Sequence, residues 1–323
     1  MKRRLLTKIA GLGAGMLLTG LGHAQSDKPV SLVVGYSAGG SADLVARAVG
    51  AELGKRLGRT VIIENVAGAS GMLAVQKALN APADGSIIYM GGTDTVAVPI
   101  VNPKVKLDWE KDLQPIGRMS TVPMVLAVPA SSPYSTLSEL LDALRKSGRE
   151  NFSYATPGIG TMQHFYGSLI KKQAKIELLH VPYRGGAQIA NDLVGGQVDS
   201  AVLVLSTAMP FLKDGKIKAL SVSDTIRVPQ LPNVRRIGEE EGFNGMALPL
   251  WQGLFVKAGT PAAIVATYEK ALLDALAQPE LRTKLAEAGI TVAPMNGRDL
   301  RAFAKPQAEL YRDIVKAAKI TVE

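Results

Sequence analysis

The chain has 323 residues, of which 47% are hydrophobic, and carries 37 lysines and arginines against 28 acidic residues. About 300 residues of this composition are enough for two domains that each bury a core. The absence of cysteine excludes disulfides, thiolate catalysis and cysteine-ligated metal sites. The low aromatic content and the lack of a long basic run argue against nucleic-acid binding.

Residues 1–24 have the pattern of a secretory signal peptide. Four basic residues within the first eight positions precede an apolar stretch over residues 9–21, and the segment ends at the small residue Ala24. That stretch would rise roughly 20 Å as a helix, short of the roughly 30 Å hydrocarbon core. We therefore expect export to the periplasm, by the Sec rather than the twin-arginine route. Cleavage after Ala24 removes four positive charges and leaves +5, which mildly favours anionic ligands.

From Val30 onward, short β-rich apolar runs alternate with helical patterns, which is typical of an α/β protein with mostly parallel sheets. Thr136 and Glu139 form a capping-box pattern, and Pro261 and Pro279 suit the first turns of helices. Strands are predicted in a first series at residues 30–34, 61–64 and 87–90, in a second at 124–128, 152–155, 176–181, 200–205 and 219–222, and again at 253–256.

The two strand series predict two α/β domains joined by two crossings. The polar stretch 102–114 and the proline-punctuated stretch 228–233 are the expected crossings. Because the first series supplies only about three strands, the C-terminal part is expected to return and complete the first domain. The predicted limits are residues 25–121 for the first part of domain 1, 122–225 for domain 2, and 226–323 for the crossing and the return.

Two glycine-rich segments, residues 36–43 and 156–161, each follow a predicted strand and open a helix. Glycines let the backbone approach a ligand, and the first N–H groups of a helix favour an anion. Neither segment contains lysine or arginine, so backbone amides and serine or threonine hydroxyls would hold a carboxylate. Turns of this kind also occur as purely structural features.

Other polar residues lie near predicted strand ends. Thr93 and Asp94 follow the third strand, where ligands of open α/β sheets bind, although Asp94 is slightly better explained by an Asx turn. His164 is equally suited to contact a ligand or to satisfy the loop backbone. His180 is expected in the core, and Trp251 is expected to pack in the core rather than form a cleft wall.

A competing hypothesis comes from Gly35 to Gly39, which match the G-x-S-x-G nucleophile elbow of serine hydrolases with Ser37 as the nucleophile. The context argues against it. Only about a dozen residues of the exported chain precede the elbow, and no histidine follows His180 to complete a triad. The sequence also lacks Walker A, H-E-x-x-H and EF-hand patterns, so no metal and no cofactor is expected.

Eight segments, taken in order and spacing, resemble the Bug family, the extracytoplasmic solute-binding components of tripartite tricarboxylate transporters. The segments cover essentially the whole chain and lie at residues 33–43, 61–71, 82–85, 154–164, 181–185, 195–198, 215–220 and 251–261. The resemblance implies a type II periplasmic binding protein clamshell, an α/β fold of two domains joined by two crossings. It also implies a carboxylate held between the two glycine loops, and integral-membrane permease subunits as partners. We expect a monomer that is not an enzyme.

The resemblance carries the family's ligand-binding loops onto particular residues of this chain. The candidate ligand-binding residues are Tyr36, Ser37, Ala38, Gly39, Gly40, Ser41 and Asp43 in the first loop, Thr93 and Asp94 after the third strand, and Thr156, Gly160, Thr161, His164 and Tyr183 in the second domain.

The chain departs from the family pattern at two places. The paired prolines of the first loop are replaced by Ser37 and Ala38, and an F-D-N segment is replaced by Val202, Leu203 and Val204. The loss of a polar site argues against amino-acid ligands and favours a less polar dicarboxylate, with an aromatic one as an option. The alternative function is a solute sensor for a chemoreceptor or a two-component system.

Overall fold

A computed structural model describes residues 28–224, 227–244, 246–248 and 250–318, so the predicted signal peptide lies outside the described residues. The strands there, in chain order, are β1 (Val30–Val34), β2 (Val61–Asn65), β3 (Ile87–Gly92), β4 (Leu113–Val122), β5 (Met124–Pro129), β6 (Ser153–Thr156), β7 (Leu179–Pro182), β8 (Ser200–Val204), β9 (Ile217–Ser223), β10 (Leu250–Lys257) and β11 (Thr291–Asn296).

The helices of the described residues alternate with these strands. They are α1 (Ser41–Leu57), α2 (Met72–Asn80), α3 (Thr93–Val101), α4 (Trp109–Asp112), α5 (Leu137–Ser147), α6 (Met162–Ala174), α7 (Gly186–Val194), α8 (Leu205–Lys213), α9 (Ala262–Leu276), α10 (Pro279–Glu287) and α11 (Gly297–Ala318), with short 3-10 turns at Ala69–Gly71 and Ile237–Glu239.

The strands form two mixed sheets. The first has the order β11-β4-β10-β3-β1-β2 and the second has the order β7-β6-β8-β5-β9. Strand β1 runs parallel to β2 and β3, and β6 runs parallel to β7 and β8, but β5 and β10 are antiparallel to both of their neighbours. The expectation of mostly parallel sheets is therefore wrong. The parallel pairs lie within the β-α-β units, whereas β4, β5, β9, β10 and β11 lie outside those units and pair with their neighbours antiparallel.

The first passage between the sheets lies at Pro123, the one residue between β4 and β5. The prediction of a crossing within residues 102–114 is wrong, because that stretch leads through the short helix α4 into β4. Sequence patterns missed β4 and also β11. Strand β4 contains Pro115 and Gly117, which weaken a strand signal, and its pairing with β10 is irregular beside Pro115.

The C-terminal strands β10 and β11 lie in the first sheet, next to β3 and β4. The chain leaves the second sheet after β9 and reaches β10 through the segment that includes the described residues 227–244. Strands from the N-terminal and C-terminal parts of the chain therefore lie side by side in the first sheet. The domain limits themselves stay a prediction.

Local sequence explains where the helices that matter for the site begin and end. Helix α1 starts after Gly40, has Asp43 in its first turn and Lys55 and Arg56 in its last turn, and ends at the left-handed Gly58 (φ 61°). Thr136 caps α5, since its hydroxyl accepts the Glu139 N–H at 3.2 Å, but the Glu139 carboxylate accepts the N–H of Ser135 instead of that of Thr136, so only half of the predicted capping box forms. These signals place the N-terminus of α1 at the carboxyl end of β1.

Candidate functional site

A cleft between the two sheets lies at the carboxyl ends of β1, β3 and β8, and its walls enclose about 780 Å³ of empty space out to the open mouth. The first turns of α1 and α3, from the side of the first sheet, and of α7 and α8, from the side of the second, reach the cleft. Since helix N-termini carry unpaired N–H groups and a positive dipole end, the cleft is suited to an anion.

Four residues of the first glycine loop form part of the cleft wall: Tyr36, Gly40, Ser41 and Ala42. The N–H of Ser41 donates across the cleft to Thr207 Oγ1 at 3.1 Å. The loop turns at Gly39, whose φ of 82° lies in the left-handed region. The start of α1 is thus held against α8 of the second sheet.

Asp43 supports this loop and is not part of the cleft wall. Its carboxylate accepts the N–H of Gly39 at 3.0 Å and the Arg47 guanidinium at 2.9 Å. Burial alone would raise the pKa of Asp43, but hydrogen bonds from Arg47, Gly39 and Asn65 outweigh it and lower the pKa. Asp43 is therefore ionised and fixes the conformation of the turn.

Ser37, Ala38 and Gly39 also lie outside the cleft wall. Ala38 and Gly39 are exposed, and Ser37 faces Gly185 on the second sheet's side. A Cβ built on Gly185 would lie 2.1 Å from Ser37 Oγ. The two sides approach each other here so closely that only a glycine fits at this position.

The polar groups of the second glycine loop are used within the loop. Thr161 Oγ1 donates to the carbonyl of Gly158 at 2.7 Å and accepts the N–H of His164 at 3.4 Å. His164 Nδ1 accepts the N–H of Gly160 at 3.2 Å, so His164 satisfies the loop backbone. Thr156 Oγ1 lies 2.6 Å from His180 Nε2. These four candidates shape the loop, and Pro157 and Gln163 are the residues beside them that reach the cleft.

Tyr183 lies in a separate depression beside the second loop, which it shares with Ser70 and Ile159. Its hydroxyl donates to Asp192 at 2.7 Å. Burial, and then the neighbouring Asp192, raise the pKa of Tyr183 to about 12. The structure therefore does not bring Tyr183 to the main cleft.

Asp94 lies in the first turn of α3 and joins the two sides of the cleft, so the Asx-turn interpretation is wrong. One carboxylate oxygen accepts the hydroxyl of Tyr36, and the other accepts the first N–H of α6, from Met162, at 2.9 Å. Burial raises the pKa of Asp94 to about 6, although the bonds from Tyr36 and Met162 act in the opposite direction. Burial and the adjacent Asp94 raise the pKa of Tyr36 well above its usual value. The carboxylate of Asp94 thus occupies the N-terminus of α6.

Apolar groups form the floor of the cleft. Val202, Leu203 and Val204, which replace the family's F-D-N segment, line it together with Leu250 and Trp251. Trp251 is 2% exposed and donates through Nε1 to Gln307 at 3.0 Å, so it both packs in the core and contributes to the wall. This surface suits the hydrocarbon part of a ligand.

Two buried polar atoms on the cleft wall have no partner among the described residues: Ser41 Oγ and Gln163 Oε1. Ser41 is 6% exposed and Gln163 is 5% exposed. Buried polar groups are paired in most proteins, so unpaired ones in a cleft indicate contacts left for a ligand. Sequence reasoning missed Gln163 and Thr207, because neither belongs to a recognisable motif.

The charge of the wall is unusual for an anion site. Among the described residues that line the cleft there is no lysine, arginine or histidine, and Asp94 is the one acidic residue. Backbone N–H groups, hydroxyls and the side-chain amides of Gln163 and Gln252 are the hydrogen-bond donors on the wall. A bound anion would therefore be held without a cationic side chain.

Among the residues that the structure describes, Ser37 has no catalytic partner. Its Oγ is buried without a hydrogen-bond partner, while His164 bonds Gly160 and His180 bonds Thr156. A nucleophilic serine needs an imidazole within hydrogen-bond reach. The described part of the chain also holds no cluster of three or more potential metal ligands, and none of its helices is long and apolar enough to cross a membrane.

The fold matches solved periplasmic binding proteins. The periplasmic binding protein BugD is 30% identical with a TM-score of 0.87 over 91% of this chain and 99% of that one. A protein of R. palustris with adipate is 28% identical, with a TM-score of 0.86 over 91% of this chain and 98% of that one. MatC of Rhodopseudomonas palustris, with bound malate, is 30% identical, with a TM-score of 0.83 over 89% of this chain and 98% of that one.

The class of protein follows from these similarities and from the two mixed β-sheets that face each other across a cleft. It is a two-domain clamshell of the periplasmic binding protein type. The model of the tripartite tricarboxylate transporter family receptor matches residues 45–320. The chain belongs to that family of solute-binding receptors, which confirms the resemblance to the Bug family.

Proposed function

We propose that the protein is exported to the periplasm, captures a small carboxylate in the cleft as a monomer, and delivers it to integral-membrane permease subunits. The observation that carries the proposal is the convergence of helix N-termini from both sheets, α1 and α3 from one and α7 and α8 from the other, on one cleft. Capture needs no covalent step. The unactivated Ser37 supports a function without catalysis.

The ligand class is a dicarboxylate with a weakly polar or aromatic body. The apolar floor of Val202, Leu203 and Val204 supports this, as does the binding of adipate and malate by two similar proteins. A micromolar dissociation constant corresponds to about 8 kcal/mol, which several hydrogen bonds to a charged group, at roughly 1.5 to 3 kcal/mol each, supply after the costs of ordering.

The contacting residues that we propose are Tyr36, Gly40, Ser41, Thr93 and Asp94, to which the structure adds Gln163 and Thr207. All of them line the cleft. Asp43 holds the first loop in place and Thr161 holds the second.

Calorimetric titration of residues 25–323, unfolded and refolded to remove any retained ligand, tests the proposal. The panel contains mono-, di- and tricarboxylates, aromatic ones included. We expect saturable micromolar binding of a dicarboxylate without turnover. A folded sample that binds no member of the panel would refute carboxylate capture.

Gly40→Val is the matching variant. Gly40 has an ordinary φ of −87°, and a Cβ there would lie 3.7 Å from Ser37 O and 3.9 Å from Gly186 N. A valine fits the backbone, but its branches would fill the gap between the starts of α1 and α7. We expect affinity to fall by about a hundredfold, equivalent to the loss of one or two charge-assisted hydrogen bonds, with the melting temperature retained.

The control is Gly195→Val, at an exposed position with φ −75° in the turn after α7. It should bind as the parent does. If Gly40→Val also bound as the parent does, the first loop would not be the anion site.

A further inference from the structure

The cleft already contains one carboxylate at a position that would suit a ligand. Asp94 accepts the first N–H of α6, from Met162, at 2.9 Å, and also accepts the hydroxyl of Tyr36. That N–H belongs to the dipole end at which the second glycine loop would otherwise hold an anion. The N-terminus of α6 is therefore occupied from within the chain.

Among the other helix starts at the cleft, those of α1 and α7 face each other, and Ser41 and Gly186 line the wall there. The unpaired Oγ of Ser41 lies on this wall, and the unpaired Oε1 of Gln163 lies on the cleft wall one residue after Met162, whose N–H bonds Asp94. With no cationic side chain among the described lining residues, a second ligand charge would have to lie in the same cleft as ionised Asp94 without compensation. Like charges in a poorly solvated site repel strongly.

This inference rests on the proposed function: we propose that the cleft binds its ligand with a net ligand charge of −1. A dicarboxylate therefore binds together with one proton, which is shared between its second carboxyl and Asp94. The proton comes from solvent. The first carboxylate binds the starts of α1 and α7, the second carboxyl meets Asp94 and Gln163, and the hydrocarbon part lies on Val202 to Val204.

The groups around Asp94 leave it as the partner for that proton. Tyr36 on the first loop, Tyr89 on β3 and Tyr311 on α11 all have a raised pKa, with burial the largest cause for each, and stay protonated near neutrality. His164 on α6 is neutral, since burial and then His180 lower its pKa to about 3. The pKa of Asp94, raised to about 6 by burial, is close to neutrality before any ligand adds its charge.

The test is calorimetric titration of the purified protein with adipate and terephthalate, each compared with its monomethyl ester, in two buffers of different ionisation enthalpy. We expect uptake of about one proton for each diacid bound and none for each ester. Between about pH 7 and 8 the diacid affinity should fall about tenfold per pH unit, while the ester affinity stays constant.

Asp94→Asn removes the charge and keeps an acceptor for Met162, so proton uptake on diacid binding should disappear and the pH dependence should flatten. The control Asp142→Asn, on the exposed face of α5, should behave as the parent does. Diacid binding to the parent without proton uptake, or uptake that persists in Asp94→Asn, would overturn the inference and leave carboxylate capture standing. The absence of binding by all four compounds would instead refute the proposed function, and the inference with it.

Discussion

Polar side chains at the cleft differ in whether their hydrogen-bonding capacity is already used. Thr93 Oγ1 accepts the N–H of Trp251 at 2.9 Å, and Thr95 Oγ1 accepts the N–H of Gly92 at 3.0 Å, so both stabilise backbone. Ser41 Oγ and Gln163 Oε1 are buried and unpaired. A buried unpaired acceptor destabilises the unliganded protein. When a ligand supplies a donor, the new hydrogen bond removes that destabilisation and adds to the affinity.

Gln163→Leu tests this at the residue scale. Leucine has a similar size and removes the unpaired amide, so the unfolding free energy of the unliganded protein should rise by up to about 1 kcal/mol. Ligand affinity should fall about tenfold, because one hydrogen bond is lost. Urea denaturation and calorimetric titration measure the two effects.

Gln76→Leu, on the exposed side of α2, is the matched control. In this variant the unfolding free energy should not rise and the ligand affinity should not fall. Full affinity in Gln163→Leu would show that Gln163 does not touch the ligand.

At the scale of elements, the start of α6 depends on neutral histidines. His164 Nδ1 accepts the Gly160 N–H, which requires an unprotonated nitrogen, and His164 and His180 lie with ring centroids 4.3 Å apart. Burial and then His180 lower the pKa of His164 to about 3, and burial lowers the pKa of His180 to about 4. The second loop keeps its bond from Gly160 only while His164 is uncharged.

Stability should therefore fall in mild acid. Both histidines have a folded pKa below the unfolded value of about 6.5, so the unfolded state binds protons first and stability is lost as the pH falls from about 6.5 towards 4. Asp94 acts in the opposite direction from about pH 6 downwards, because its folded pKa is raised. Because two histidines destabilise the folded state and one aspartate stabilises it as the pH falls, the unfolding free energy should decrease by at most about 1.4 kcal/mol per pH unit.

Urea denaturation of the unliganded protein at about pH 7, 6 and 5 measures this slope. His164→Asn keeps an acceptor for Gly160 but does not titrate, so its slope should be flatter. An unfolding free energy equal at all three pH values in the parent would contradict the burial argument.

At the scale of the molecule, the two sheets meet across the cleft in a closed arrangement. Besides the bond from Met162 to Asp94, the Ser41 N–H reaches Thr207 at 3.1 Å, and Ser70 Oγ donates to Ile159 O at 2.7 Å. Each bond joins the two sides. Closure that brings opposing helix ends together also forms the site, so ligand binding and closure are one equilibrium.

Gly185→Ala separates closure from folding. The φ of Gly185 is 172°, which any residue adopts, but its Cβ would lie 2.1 Å from Ser37 Oγ on the opposite side. The variant should keep its melting temperature, lose about tenfold or more in affinity, and show a larger radius of gyration with ligand in small-angle X-ray scattering than the parent.

Adding Ser37→Gly to Gly185→Ala should recover part of the closure, and Gly195→Ala is the neutral control. Full ligand-induced closure in Gly185→Ala would mean that the close approach of Ser37 and Gly185 is not part of the bound state.

Most elements were predictable because their signals are local. The strands near Val30, Val61 and Ile87 and the cap at Thr136 follow from short apolar runs and side-chain chemistry. Strand β4 was missed because its stability comes from pairing with β10 and β11, which lie far away along the chain. The candidate site was predictable as two loops and as the polar residues Thr93 and Asp94 after β3.

The sequence by itself determined the family, the α/β class and the two glycine loops, since each depends on residue type and spacing along the chain. Only the tertiary structure decided which residues face the cleft. Gln163 and Thr207 enter it, Tyr183 and Asp43 do not, and Asp94 leaves its expected turn role to reach α6. These outcomes depend on which helix ends two separate sheets bring together, and no local pattern encodes that distance.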